Sequence, residues 1–222
     1  MGRIYQFLDE RLNLTPLLRD ITDHPVPDHA NVLKTRSAFI YCFGGIAFFI
    51  ILLQALSGVF LMLYYSPTPE DAHASVTYIQ NETAFGALLQ GLHRVGASAA
   101  VIMVLLHMLR VFFTGSYKNP RELNWVVGVF LLLIVLAFGF TGYLLPWDQK
   151  AYWATTVGLN MVANVPLIGD FLASALRGGN EMGTLTLLRF FVIHVMFLPA
   201  LLAIFLAAHF FMLRRQGISR PL

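Results

Sequence analysis

Four histidines lie within long apolar runs of this chain: His93, His107, His194 and His209. An ionisable ring inside a bilayer is costly unless it is paired or coordinated, so each of these residues is a functional candidate. His93 and His107 are 14 residues apart, and His194 and His209 are 15 apart. At about 100° and 1.5 Å per residue, 14 helical residues return to within about 40° of the same face, about 21 Å along the axis. Each helix would then present two imidazoles, one above the other. Two parallel helices of this kind could clamp two irons, each between a pair of axial imidazoles, as in stacked b-type haems. The alternative is that each ring only hydrogen-bonds to a neighbouring helix.

The 15-residue spacing leaves an offset near +60° rather than −40°. Pro199 lies between His194 and His209. A proline removes an internal hydrogen bond and permits a kink or bulge that could absorb one extra residue. Glycines share the histidine period: Gly44 and Gly58 are 14 apart, as are Gly128 and Gly142. A planar macrocycle wedged in a bundle needs helix faces without side chains. Small-residue helix packing would produce the same glycines.

Positioning these residues requires membrane helices. The 222 residues are 57% hydrophobic and 12% charged, which excludes an ordinary soluble domain. Apolar runs near 38–65, 92–114, 124–146 and 187–213 each suffice to cross a bilayer, which takes about 20 residues. They are near-continuous rather than alternating, so they read as helices and not barrel strands. The expected fold is all-α: an integral membrane four-helix bundle over 31–222, preceded by an amphipathic surface segment over 1–30. In that segment Ile4, Phe7, Leu8 and Leu12 recur at helical spacing among Arg3, Asp9, Glu10 and Arg11. No secretory signal is read there, because no apolar core precedes a small-residue cleavage site.

Basic residues set the orientation. Arg3, Arg11, Arg19, Lys34 and Arg36 precede the first span, Arg110, Lys118 and Arg121 flank the second loop, and Arg214, Arg215 and Arg220 follow the fourth span. The first loop, 66–84, carries Glu70, Asp71 and Glu82 and neither Lys nor Arg. Both termini are therefore expected on the negative, cytoplasmic side. The net charge of +3 reflects this asymmetry and calls for no nucleic acid. His24, His29 and His73 lie outside the spans and read as solvent-exposed.

Across nearly its whole length the sequence resembles cytochrome b6, the short form of the cytochrome b family. The resemblance is carried by IYQFLDERL, AFIYCFGG, SVTYIQNE, FFTGSYKNPRELNWVVGV, GFTGYLLPWD, LTLLRFFVIHVMFLP and RRQGISRPL. The 15-residue spacing and the chain end soon after the fourth span also match this type. The stretch PDHANVLKTRSAFIYCFGG is longer than its chloroplast counterpart and more similar to the subunit of menaquinol:cytochrome c reductases in Gram-positive bacteria.

The resemblance implies that His93 and His194 ligate a positive-side haem b, and that His107 and His209 ligate a negative-side haem b. It also implies that Cys42 holds a third haem, a haem c, through a single thioether bond. Without it, a lone cysteine lacking C-x-x-C-H reads as an inert thiol. Arg94 and Arg110 are placed to meet haem propionates or to snorkel to the interface. The family often has an arginine where this chain has Gln90, and a tryptophan where it has Val95. Asp20 and Arg214 match positions near a negative-side quinone site. Tyr143, Pro146 and Trp147, with 152–158, resemble the border of the quinol-oxidation pocket; Pro146 and Trp147 equally suit a helix stop with an aromatic anchor.

The implied activity is that of a quinol:cytochrome c (or plastocyanin-like) oxidoreductase, with menaquinone favoured as the quinone. The implied partners are a Rieske iron-sulfur protein, a cytochrome c-type subunit and a separate subunit, like subunit IV, carrying the remaining helices, in a homodimeric complex. The expected location is the bacterial cytoplasmic membrane in preference to a thylakoid. A di-haem membrane anchor of a hydrogenase or formate dehydrogenase, and a transporter with proton-relay histidines, are the competing readings.

Overall fold

The structure, a computed structural model, describes residues 42–217. The expected surface segment at 1–30, with Asp20, lies outside the described residues. Within them the chain is helical without strands: α1 (Phe43–Met62), α2 (Ala72–Glu82), α3 (Gly86–Phe113), α4 (Glu122–Leu144), α5 (Gln149–Ala163), α6 (Gly169–Arg177) and α7 (Thr184–Gln216). Helices α1, α3, α4 and α7 are long and apolar enough to cross a membrane. This agrees with the four spans read from the apolar runs.

The first and third connections differ from the sequence reading. They are not plain loops but carry α2, α5 and α6, which are too short and too polar to span. These helices bury small or aliphatic faces against one end of the bundle, through Ala72 and Ile79 in α2, Thr155 and Leu159 in α5, and Ala173 in α6. Asp148 caps α5, its carboxylate accepting from the Ala151 N–H at 2.8 Å. Helix α2 turns into α3 so closely that a Cβ on Gly86 would lie 1.8 Å from the Ile79 carbonyl oxygen, so only glycine fits.

Helix α1 packs mainly on α3, and α4 packs on the second half of α7, with further contact between α3 and α4. Two apolar clusters occupy the middle of the bundle. Leu131 and Ile134 of α4 meet Leu198 and Leu202 of α7, and Ala47, Val104 and Val135 join α1, α3 and α4. A third cluster, formed by Ala72, Leu144, Leu159, Leu187 and Phe190, closes the end near α2 and α5. Large apolar side chains such as Leu56, Leu88, Val95, Leu133 and Ile204 are exposed along the spans, where a bilayer would meet them.

Helix α7 contains one turn of π-helix at Ile193–Phe197, in which the Leu198 N–H donates to the Ile193 carbonyl. Pro199 follows directly. It has no N–H to offer, and its ring crowds the carbonyl four residues back, so the extra residue is accommodated in the turn just before it. The bulge expected between His194 and His209 is present. It brings their effective spacing back to that of His93 and His107.

Candidate functional site

The structure brings the four intramembrane histidines together as two pairs, both spanning α3 and α7. The ring centres of His93 and His194 are 6.3 Å apart with planes at 73°, and those of His107 and His209 are 6.4 Å apart at 81°. Helices α3 and α7 therefore run parallel, and the layers stand about 21 Å apart along them. All four rings are half-buried.

Each histidine faces a glycine of the helix behind it. A Cβ at Gly58 would lie 3.2 Å from His93 Cε1, and one at Gly44 would lie 3.0 Å from His107 Cε1. On the other side, a Cβ at Gly142 would be 2.6 Å from His194 Cε1, and one at Gly128 3.9 Å from His209 Cε1. The shared repeat thus has a direct cause. Helices α1 and α4 are bare where α3 and α7 carry an imidazole.

Sequence reasoning missed three polar residues at the first layer. Ser57 Oγ lies 3.0 Å from His93 Nδ1, and Thr141 Oγ1 lies 3.0 Å from His194 Nδ1. The Ser57 hydroxyl proton is directed at the Leu53 carbonyl, 2.7 Å away, and that of Thr141 at the Ala137 carbonyl, 2.8 Å away. Both oxygens are therefore left to accept from the imidazoles. That sets Nδ1 as the protonated nitrogen and leaves the Nε2 lone pair for coordination. With its amide nitrogen turned toward α3, Gln54 donates to the His93 carbonyl at 2.9 Å. The available signal was local: a hydroxyl residue immediately precedes the glycine in Ser57-Gly58 and in Thr141-Gly142.

Among the described residues no three His, Cys, Asp or Glu side chains gather as a metal cage. Each layer supplies two imidazoles, so an iron held there would take its other ligands from a macrocycle. Metal–imidazole bonds of about 2.0 Å and a ring radius of about 1.1 Å place the centres of two trans imidazoles about 6.2–6.4 Å apart. The observed 6.3 and 6.4 Å fit that arrangement in both layers.

The other predicted site residues are more dispersed. Cys42 is exposed, just before α1 and two residues from Gly44, at the His107/His209 end. Arg94 is exposed beside His93, whereas Arg110 is partly buried in the last turn of α3. Arg214 is exposed in the last turn of α7. Tyr143 is exposed, and α4 stops at Leu144, two residues before Pro146, as a helix-stop proline requires. Trp147 packs on the Leu144 and Phe190 cluster and, with Asp148, Gln149, Tyr152 and Trp153, lines an open concavity at the His93/His194 end. Tyr65 donates to the Leu145 carbonyl at 2.6 Å and ties the end of α1 to that of α4. At the opposite end, Arg121 donates to the carbonyls of Gln216 and Gly217 and joins the start of α4 to the end of α7.

Comparison with known proteins agrees with this architecture. The family model described as "Cytochrome b/b6/petB" matches residues 28–217. The chain is 55% identical to a menaquinol:cytochrome c reductase cytochrome b subunit of Geobacillus thermodenitrificans and 54% identical to that of Bacillus subtilis (strain 168), covering 100% of both sequences in each case. It is 45% identical to cytochrome b6 of Synechococcus sp. (strain JA-3-3Ab), again over the full length of both. Among solved structures, a chain of "Hyperthermophilic respiratory Complex III" superposes with a TM-score of 0.83 at 31% identity, over 97% of this chain and 56% of that one. With parallel helices carrying paired histidines, glycines behind each ring, and a family match over residues 28–217, the chain belongs to the cytochrome b/b6 family.

Proposed function

We propose that this chain is the cytochrome b subunit of a menaquinol:cytochrome c reductase. In this reading His93 and His194 hold one b haem, and His107 and His209 hold the other. The observation that carries it is the matched separation of the imidazole pairs, 6.3 and 6.4 Å, in two layers of one bundle. When bound, each haem supplies a one-electron iron couple. The chain's own part is to fix the imidazoles, space the layers and keep water away from them.

Electrons from quinol enter at the Tyr143–Trp147 end and cross toward the Cys42 end, with Arg214, and Asp20 outside the described residues, serving quinone reduction and proton uptake. Arg94 and Arg110 pair with haem propionates. The basic ends of the spans support placing both termini on the negative side of the bacterial cytoplasmic membrane. A Rieske protein, a c-type cytochrome acceptor and a separate subunit with further helices complete the complex, which is a homodimer.

Cys42 would anchor a third haem by one thioether bond, a reading supported by its exposure at the edge of the Gly44–His107 contact. A haem stain after denaturing electrophoresis should detect the wild-type chain and not Cys42→Ala, with both extractable b haems retained in the variant. A stain that survives the substitution would refute the linkage.

The glycines give a graded test of the layers. Gly142→Ala would drive a methyl against a ring held by Thr141, so positive-side haem occupancy should fall at least about tenfold, as when an outer-shell partner is lost. Gly128→Ala meets His209 at ordinary contact distance and should retain both haems. The overall assignment is tested by a reduced-minus-oxidised spectrum of the purified complex, which should show b-type bands.

A further inference from the structure

The two layers differ in the groups that face the imidazole Nδ1 atoms. In the His93/His194 layer each ring has a buried hydroxyl acceptor, Ser57 or Thr141, at 3.0 Å. The residues in the same position before the other two glycines are Phe43 and Val127, which carry none. His209 Nδ1 is buried and meets no side-chain hydroxyl, only the Asn124 main chain. Main-chain carbonyls of Gln54 and Phe138 also approach His93 and His194, so the hydroxyl is what distinguishes the layers.

An acceptor on Nδ1–H pulls its proton outward and makes Nε2 a stronger donor. A stronger donor favours ferric over ferrous iron and lowers the reduction potential. We propose that Ser57 and Thr141 are positioning residues that fix the tautomer of His93 and His194 and selectively lower the potential of the haem held between them. This inference rests on the reading of the four histidines as haem ligands. Its consequence is directional: with other influences equal, the His93/His194 haem gives up its electron more readily than the His107/His209 haem. The hydroxyl pair therefore biases transfer toward the Cys42 end.

The test is a potentiometric titration of both b haems in the purified complex, comparing wild type with Ser57→Ala, Thr141→Val and Thr141→Ser. The component belonging to His93/His194 is identified by its absence from His194→Leu. Ser57→Ala and Thr141→Val should each raise that component. A tenfold change in the ferric-to-ferrous affinity ratio, the lower end for an outer-shell partner, corresponds to about 59 mV. The other component should not move, and Thr141→Ser should behave as wild type. Haem loss in Thr141→Val with retention at wild-type potential in Thr141→Ser would also support the proposal. It is overturned if neither hydroxyl deletion shifts the component, if both haems shift alike, or if Thr141→Ser shifts or loses the haem as Thr141→Val does. A wild-type complex without two b-type components would instead refute the haem reading on which the proposal rests.

Discussion

Replacing His194 by Leu should remove one b haem per chain and leave the other, and His209→Leu should do the converse. Each layer contributes only two imidazoles, so losing one leaves the iron a single axial ligand and the partner ring half-buried and unpaired. The loss of occupancy should exceed the roughly 10–100-fold that follows removal of an outer-shell partner. The layers are separated by about 21 Å of helix and by packed aliphatic side chains, including Leu131, Ile134, Leu198 and Leu202, so the surviving layer should keep its haem. On the proposed route, in which electrons cross the membrane through both layers, quinol:cytochrome c activity should be lost in both variants. Haem content per chain, read by pyridine haemochromogen, checks the outcome; loss of both haems from either variant, in a complex that still assembles, would contradict two independent layers.

Changes of helix length should have opposite effects in α3 and α7. Inserting one Ala between Ala100 and Val101 rotates one half of α3 by about 100° relative to the other. That carries a ring about 5–6 Å from the axis sideways by about 8 Å, beyond the reach of any rotamer adjustment. Whichever half holds its place, one layer is broken and one b haem should be lost. Deleting Val195 should instead be tolerated. The residue lies in the π turn at Ile193–Phe197, and its removal converts a 15-residue spacing with a bulge into a 14-residue spacing without one. Both b haems should remain, with His194 and His209 still in phase. Retention of two haems after the insertion, or loss of one after the deletion, would show that helical phase is not what sets the pairs.

These expectations show which features the sequence carried openly. The four spans were legible because Phe43–Met62, Gly86–Phe113, Glu122–Leu144 and Thr184–Gln216 are apolar over nearly their whole length. The histidine pairs followed from spacing together with the parallel run of the second and fourth spans, and Pro199 marked where the odd residue would be absorbed. Helices α2, α5 and α6 were hidden, because their mixed polarity resembles that of loops and their stability comes from docking on the bundle end. Ser57, Thr141 and Gln54 were hidden for a different reason. A single polar residue in a membrane helix ordinarily bonds to its own backbone, and only the facing helix reveals that these three also reach His93 and His194. The glycines were recognised by their period, yet their immediate neighbours are the imidazoles themselves.

The most direct test of the account is the haem content of the purified wild-type complex, determined per copy of this chain after acid–organic extraction. Two extractable b haems should be found per chain, with a third haem remaining on the protein. One extractable haem or none, in a complex that is otherwise intact, would contradict the assignment of His93 with His194 and of His107 with His209 as two separate axial pairs.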